Sequence, residues 1–338
     1  MLFWILPLLI LFGLIAAPAA AFAAATDAAL LWWTCMLPSL LPYLIAASLL
    51  ERSGLFLRLP KRVAPVFLLL FGILGGYPVG ARLAGRLYRD GAVSLSDAQK
   101  AASFVNQPNP VFLISVIAAG MFDDARAAAP LSIGVYGAAL IGLIPLCRMQ
   151  LLKPCLPPKT DPIRDLPDAI ADGMHAILSI GGCIVFASVL GALIEATGVF
   201  LLFGVGKDTA RALLLGVTEM TSGASAVAAL SLSLPVRLAI CSFFVEFGGL
   251  SVLLQSAGCL RLSLPRYLLT RVLLGTVAAL LTAAATPLFC SAAVPTMAGP
   301  QKIMHNALDL VLVVASCGFG LLLVFVFTFV LPKRKRGL

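Results

Sequence analysis

Long apolar stretches follow one another along almost the whole 338-residue chain, and they constrain the fold more than any other feature. The sequence is 61% hydrophobic and only 12% charged. A bilayer core about 30 Å thick takes about 20 apolar residues per helical span. An unpaired N–H or C=O in lipid costs several kcal/mol, so helices that satisfy their own backbone are favoured. We therefore predict an all-α polytopic membrane protein.

Eight stretches are long enough to be full spans, and two more are interrupted near their middles. The predicted spans are 2–25, 28–50, 100–122, 130–149, 176–199, 236–258, 267–290 and 308–331. The interrupted stretches, 64–85 and 211–234, contain glycines and polar residues. Glycine tolerates tight reversals and proline removes a backbone donor, so each is predicted to be a re-entrant helical hairpin. The alternative is an ordinary helix with a glycine-rich packing face.

The turn of each hairpin is predicted at its small residues. In the first hairpin these are Gly75, Gly76, Tyr77, Pro78 and Gly80, and in the second they are Gly216 and Gly223.

The positive charges favour the hairpin interpretation. The 24 Lys and Arg lie in short clusters between apolar runs, which indicates membrane topology rather than nucleic-acid binding. With two hairpins and a cytoplasmic C-terminus, most of these charges fall inside, including a loop that holds Arg261, Arg266 and Arg271. If both stretches cross fully, the excess inside is much smaller.

This topology divides the chain into two inverted repeats. Residues 28–149 form repeat 1 and residues 169–290 form repeat 2, joined by a cytoplasmic Pro-rich linker, 150–168, that is expected not to be helical. Residues 1–27 are interpreted as a signal anchor, with cleavage as the alternative. Residues 291–338 supply a last span and a basic tail.

Interrupted segments at matching positions of inverted repeats indicate a transporter-like binding site near the bilayer midplane. The candidate substrate-binding residues are polar. Thr218, Glu219, Thr221 and Ser222 lie in the second interrupted stretch, Asn106, Gln107 and Asn109 break the span after the first, and Glu246 and Gln255 lie in the span after the second. Ionised groups at membrane depth cost on the order of 2.5–3.5 kcal/mol, so Glu219 and Glu246 are predicted to face a cavity or a partner. Polar packing contacts between helices are the alternative for these residues.

No cofactor is predicted beyond a coupling H⁺ or Na⁺ at Glu219 or Glu246. The cysteines are scattered without a C-x-x-C pair, and the two histidines stand alone, so no metal site is predicted. Walker A, G-x-S-x-G and H-E-x-x-H motifs are absent, and no catalytic residue or enzymatic activity is expected.

Several motifs resemble a known family. They are Leu31-Trp32-Trp33, Gly76-Tyr77-Pro78-Val79-Gly80-Ala81 and Phe247-Gly248-Gly249-Leu250-Ser251. The chain resembles the YlbJ family of sporulation integral membrane proteins, which is placed with nucleoside-recognition (Gate) domain proteins and resembles the core of concentrative nucleoside transporters. Val217-Thr218-Glu219 matches the last two positions of the Gln-Thr-Glu hairpin signature of those carriers.

The resemblance implies a multi-pass protein of a bacterial inner membrane, with the lipid bilayer as its surroundings and a role in sporulation. Its implied ligand is a small polar solute such as a nucleoside, either transported or sensed, and nucleic acid is not an expected partner. A non-transporting scaffold for spore or envelope assembly is the alternative, and an oligomer is left open.

Overall fold

The computed structural model describes residues 2–60, 63–150, 162–198 and 206–290, and within these ranges it contains helices and no β-strand. The helices before the linker are α1 (Leu2–Ala16), α2 (Pro18–Leu31), α3 (Leu37–Arg52), α4 (Leu55–Arg58), α5 (Ala64–Gly75), α6 (Val79–Arg89), α7 (Leu95–Val105), α8 (Ala128–Ile141) and α9 (Leu143–Cys147). Those after it are α10 (Pro162–Ala196), α11 (Lys207–Thr218), α12 (Met220–Ala228), α13 (Leu234–Phe247), α14 (Gly249–Cys259) and α15 (Leu264–Cys290).

Five helical stretches among the described residues are long and apolar enough to cross a membrane. They are Pro18–Arg52, Ala125–Cys147, Ile163–Ala196, Leu234–Cys259 and Leu264–Cys290. The predicted all-α polytopic membrane fold is therefore confirmed. Helix α15 packs along α8 and α13, while α10 packs against α2, α3 and α14.

The stretch predicted as the first hairpin consists of two helices, α5 and α6, joined by a short turn. Gly76 makes this turn at φ +74°, a conformation that glycine adopts without steric cost. A Cβ atom added to Gly72 or Gly80 would lie 1.7 or 2.3 Å from the Val105 carbonyl oxygen. Both arms thus contact the same carbonyl at the end of α7, and this close approach requires glycine on each of them.

The stretch predicted as the second hairpin also consists of two helices, α11 and α12, but its turn is Glu219 alone. Glu219 has extended backbone angles, φ −143° and ψ 112°, so the turn needs no glycine. The prediction of Gly216 and Gly223 as turn residues was therefore wrong. They lie one on each arm, where a Cβ on Gly223 would be 2.2 Å from Gly216 Cα, and they let the two helices touch.

An interrupted helix follows each hairpin stretch. Helix α7 ends at Val105, and the chain stays non-helical through residues 106–109 before a π-helical segment, Phe112–Met121. Helices α13 and α14 are separated at Gly248, which has φ +84°. The predicted spans 100–122 and 236–258 are thus both broken near their middles. The inverted orientation of the two halves across a bilayer stays a prediction.

Two predicted boundaries differ from the structure. The chain bends at Ala17, and helical residues then run from Pro18 to Arg52. The predicted boundary between residues 27 and 28 therefore lies inside a helical stretch. Helix α10 covers Pro162–Ala196, so residues 162–168 of the linker, which were expected to be non-helical, are helical. Pro167 lies inside this helix and removes one backbone hydrogen bond there.

Three other parts of the sequence-based prediction lie outside the described residues. They are residues 151–161 of the Pro-rich linker, the predicted span at 308–331 and the basic C-terminal tail.

Candidate functional site

A small cavity lies between the two hairpin turns. Its walls are Met36, Leu40, Tyr77, Asn109, Phe112, Ile180, Ile184, Glu219, Met220, Thr221, Ser251, Val252 and Gln255. They come from the turns of both hairpins, from both interrupted helices, and from α3 and α10. The cavity has a volume of about 20 Å³, which is room for about one water molecule.

Three polar side chains in the cavity wall have unused hydrogen-bonding atoms. Thr221 Oγ1, Ser251 Oγ and Gln255 Oε1 are buried and have no hydrogen-bond partner within the described part of the chain. An unsatisfied buried polar group costs about 1–3 kcal/mol. These atoms therefore offer hydroxyl and amide contacts to a polar occupant of the cavity.

Asn109 lines the same cavity, but its amide is already engaged. Its Nδ2 donates to the Leu74 carbonyl near the end of α5, and its Oδ1 accepts from the Val111 N–H at 2.7 Å. The side chain thus ties the interruption after α7 to the first hairpin. Asn109 holds the wall in place with both amide atoms.

Glu219 is fully buried and caps the helix that follows it. Its two carboxylate oxygens accept from the backbone N–H groups of Thr221 at 3.1 Å and Ser222 at 2.7 Å. A carboxylate in this position satisfies orphan donors at a helix N-terminus and interacts favourably with the helix dipole. The N-terminus of α12 is therefore occupied by the chain's own carboxylate.

Thr218 and Ser222 were predicted to bind substrate, but neither lies in the cavity wall. The Thr218 hydroxyl donates to the Leu214 carbonyl at 3.1 Å, within its own helix. Ser222 is partly buried and supplies its N–H to the Glu219 cap. A mid-helix hydroxyl commonly bonds back in this way, and both residues serve local structure here.

Glu246 belongs to a second polar cluster beside the cavity. Its Oε1 lies 3.1 Å from Nη1 of Arg271 and accepts from Gln107 Nε2 at 3.0 Å. The side chains of Glu246 and Arg271 are both 0% exposed, so the ion pair is entirely withdrawn from solvent. Breaking such a buried pair on one side leaves an uncompensated charge, which is strongly destabilising.

Arg271 also donates to backbone carbonyls of both interrupted helices. Nη1 contacts the carbonyl oxygens of Asn106 at 3.0 Å and Ser103 at 3.4 Å, while Nη2 contacts the carbonyl of Glu246. Helix ends leave such carbonyls without an intrahelical partner. One guanidinium thus joins the end of α7 to the end of α13.

Tyr77 connects this cluster to the cavity. It lines the cavity, and its hydroxyl accepts from Arg271 Nη2 at 2.8 Å and donates to the Val245 carbonyl at 2.7 Å. The residue was predicted only as part of the first turn. A displacement of that turn would therefore also break contacts to Arg271.

Asn106 extends the cluster toward the start of α15. Its Nδ2 donates to Ser256 Oγ at 2.9 Å, and the hydroxyls of Ser256 and Tyr267 lie 3.2 Å apart. Its Oδ1 accepts from the Ala81 N–H at 3.4 Å, near the first turn of α6. Asn106 thereby connects α14 to α6, and Gln107 bonds to Glu246 beside it.

Arg271 is the main residue that sequence reasoning missed, because it was counted as a charge in an inside loop. It is the eighth residue of α15, within a predominantly apolar helix, and it is fully buried. An arginine inside an apolar span is itself a signal of a functional or paired group. Ser256 and Tyr267 carried no such signal, since their polar partners come from distant parts of the chain.

The cavity is much smaller than a typical ligand pocket. Sites for small molecules usually occupy about 300–1,000 Å³, so a nucleoside does not fit in this conformation. No group of three His, Cys, Asp or Glu side chains among the described residues is arranged to hold a metal ion. The cavity can hold a water molecule as it stands, and a larger polar occupant requires the walls to move apart.

Comparison with known proteins gives one informative relative. No protein-family model matches the sequence, and no solved structure matches it. The sporulation integral membrane protein YlbJ of Bacillus subtilis (strain 168) is 30% identical over 290 residues, covering 72% of this chain and 71% of the relative. With the multi-pass helical structure, this similarity shows that the chain belongs to the YlbJ family of sporulation integral membrane proteins.

Proposed function

We propose that this protein acts in sporulation by binding a small polar solute in the cavity and moving it across a bacterial inner membrane. Its C-terminus then lies in the cytoplasm. The printed name of the Bacillus subtilis relative supports the sporulation role. The transport role is supported by the cavity itself. Its walls combine both hairpin turns and both interrupted helices, the arrangement in which secondary carriers place their binding sites.

The unpartnered wall atoms are the observation that carries this proposal. Thr221 Oγ1, Ser251 Oγ and Gln255 Oε1 come from two different elements and border one cavity. A protein that served only as a scaffold would gain nothing from placing three such atoms around one cavity, because burying a polar group costs stability. An occupant that forms hydrogen bonds with them removes this cost.

The wall chemistry favours a neutral solute. The free wall atoms are hydroxyl and amide groups, and the Glu219 carboxylate already accepts two backbone N–H bonds. Hydroxyls donate and accept, which suits hydroxylated or heterocyclic solutes, and nucleosides are one such class. Admission of a nucleoside requires at least one hairpin turn to move, since the cavity has a volume of only about 20 Å³.

Uptake by protein reconstituted in liposomes tests the proposal, with a panel of nucleosides and other neutral polar solutes. Thr221→Val keeps the side-chain shape and removes the hydroxyl. We expect the solute concentration for half-maximal uptake to rise about tenfold, since a loss of about 1.4 kcal/mol corresponds to a factor of ten. Ser225→Ala is the matched control, because Ser225 is exposed one turn later on α12. Equal uptake by both variants would remove Thr221 from the site.

The two buried glutamates provide a second uptake test. Glu246→Gln and Glu219→Gln are expected to abolish uptake, because the first breaks the pair with Arg271 and the second weakens the cap of α12. Membrane insertion of each variant is checked by its yield in the detergent-extracted membrane fraction. Wild-type uptake in both would exclude these carboxylates from the mechanism.

Topology labelling tests the inverted repeats on which alternating access would depend. In a cysteine-free background, Arg58→Cys, Tyr88→Cys and Lys207→Cys place thiols at exposed positions before the first hairpin, at its end and at the start of the second. If the halves are inverted, an impermeant maleimide labels Arg58→Cys and Tyr88→Cys from one side of the membrane and Lys207→Cys from the other. Labelling of Arg58→Cys and Tyr88→Cys from different sides would contradict the inversion.

The scaffold alternative is favoured by the small cavity volume. A folded protein that shows no saturable flux with any solute in the panel, and whose Thr221→Val variant still supports sporulation, would establish that alternative instead.

A further inference from the structure

The surroundings of Arg271 form a cage of oxygen atoms. Its members are the carbonyl oxygens of Ser103, Asn106 and Glu246, the Glu246 carboxylate and the Tyr77 hydroxyl. The carbonyls lie at the ends of α7 and α13, where each helix is interrupted. These are the negative ends of helix dipoles, which favour a positive charge.

This set of ligands has the chemistry of a monovalent-cation site. Unwound carbonyls and half-helix C-terminal ends coordinate Na⁺ in many secondary carriers, often near the substrate. Here the cation that faces these oxygens is the guanidinium of Arg271. Tyr77 belongs to both the cage and the cavity wall, so the two sites are adjacent.

The guanidinium uses only its two terminal nitrogens in these contacts. Arg271 Nε is buried and has no hydrogen-bond partner within the described residues. All cage contacts are therefore made by Nη1 and Nη2. A free guanidinium ion carries the same nitrogens and can make the same contacts without the tether.

We propose that the oxygen cage between the interrupted helices is a cation site that the protein fills with its own Arg271, so that Na⁺ has no place beside Glu246. Solute movement by the carrier is then independent of Na⁺, a consequence that rests on the proposed function. The fixed charge neutralises Glu246 and the helix ends, and a second cation beside it would be repelled.

Thermal unfolding in detergent tests the cage, and the measurement needs no solute. The variant is Arg271→Ala, and the matched control is Arg266→Ala, which removes an exposed arginine near the start of the same helix. Removing one partner of a buried pair should lower the Tm by about 10 °C. The control should keep the Tm of the wild-type protein.

Cation rescue then decides between a cation cage and a simple structural contact. Millimolar guanidinium should raise the Tm of Arg271→Ala. NaCl should also raise it, relative to choline chloride at equal ionic strength. Neither should raise the Tm of the wild-type protein or of the control. Specific stabilisation of the wild-type protein by Na⁺, or no response of Arg271→Ala to either cation, would overturn the proposal.

Arg271→Lys provides a second test of the cation site in case Arg271→Ala does not fold. Its ammonium retains the charge but reaches fewer cage oxygens, so we expect a lower Tm that is the same in NaCl and choline chloride. A rise of its Tm in NaCl alone would show that the tethered charge does not fill the site. All of these Tm results are expected even from a protein that takes up no solute. Failure of the transport proposal and failure of the cation-site proposal can therefore be told apart.

Discussion

Two fully buried glutamates on the second half of the chain have opposite kinds of partners. Glu219 accepts from backbone N–H groups two and three residues further along. Glu246 pairs with Gln107 and Arg271, which are 139 and 25 residues away in sequence. The same residue type, equally buried, therefore completes one helix end in the first case and joins three separate elements in the second.

This difference shows that burial alone does not identify a functional carboxylate. The Glu219 site forms as soon as α12 forms, because all its hydrogen-bond partners are local. The Glu246 site exists only when the interruption after α7, the first hairpin turn and α15 are all in place. Stability measurements on variants can test this contrast.

The largest effect is expected at the buried pair. Arg271→Met and Glu246→Gln should each lower the free energy of unfolding by about 3–5 kcal/mol, because each leaves one buried charge unpaired. The double variant should lose less than the sum, since it leaves neither charge. A double-mutant cycle by denaturant unfolding measures this, and additive losses would show that the two groups do not interact.

A smaller effect is expected at the local cap. Glu219→Ala should cost about 1–2 kcal/mol, because it removes the acceptor for two N–H groups at the start of α12. Glu219→Asp keeps a carboxylate that caps well and should cost less. The same unfolding experiment measures both, and a loss at Glu219→Ala equal to that at Arg271→Met would erase the distinction between local and distant partners.

The smallest effect is expected at a partly exposed ion pair between α3 and α10. Arg52 lies 2.7 Å from Asp172 and 3.3 Å from Asp168, and the side chains are 25%, 42% and 70% exposed. Such pairs contribute about 0–1 kcal/mol and are screened by salt. Arg52→Ala should therefore cost little, and less still in high salt; a loss comparable to that at Arg271 would contradict the role of burial.

Much of the site was predictable from residues that break the apolar pattern. Asn106, Asn109, Glu219 and Gln255 were recognised as polar groups within apolar stretches, and the structure brings all four to the cavity or to the cluster next to it. Their division into wall, cap and cluster was not predictable. It depends on which neighbour each side chain reaches, and sequence separation gives no measure of that distance.

Hydrophobicity alone determined that this chain is a bundle of membrane helices, because lipid admits only backbones that satisfy their own hydrogen bonds. Glycine and proline marked the first hairpin turn, but the second turn is Glu219. Only the tertiary structure decided that Arg271 is not a loop charge and that Gly216 and Gly223 form a helix contact. The reason is that a buried charge and a close helix contact are both defined by partners from other segments, which meet only after the chain has packed.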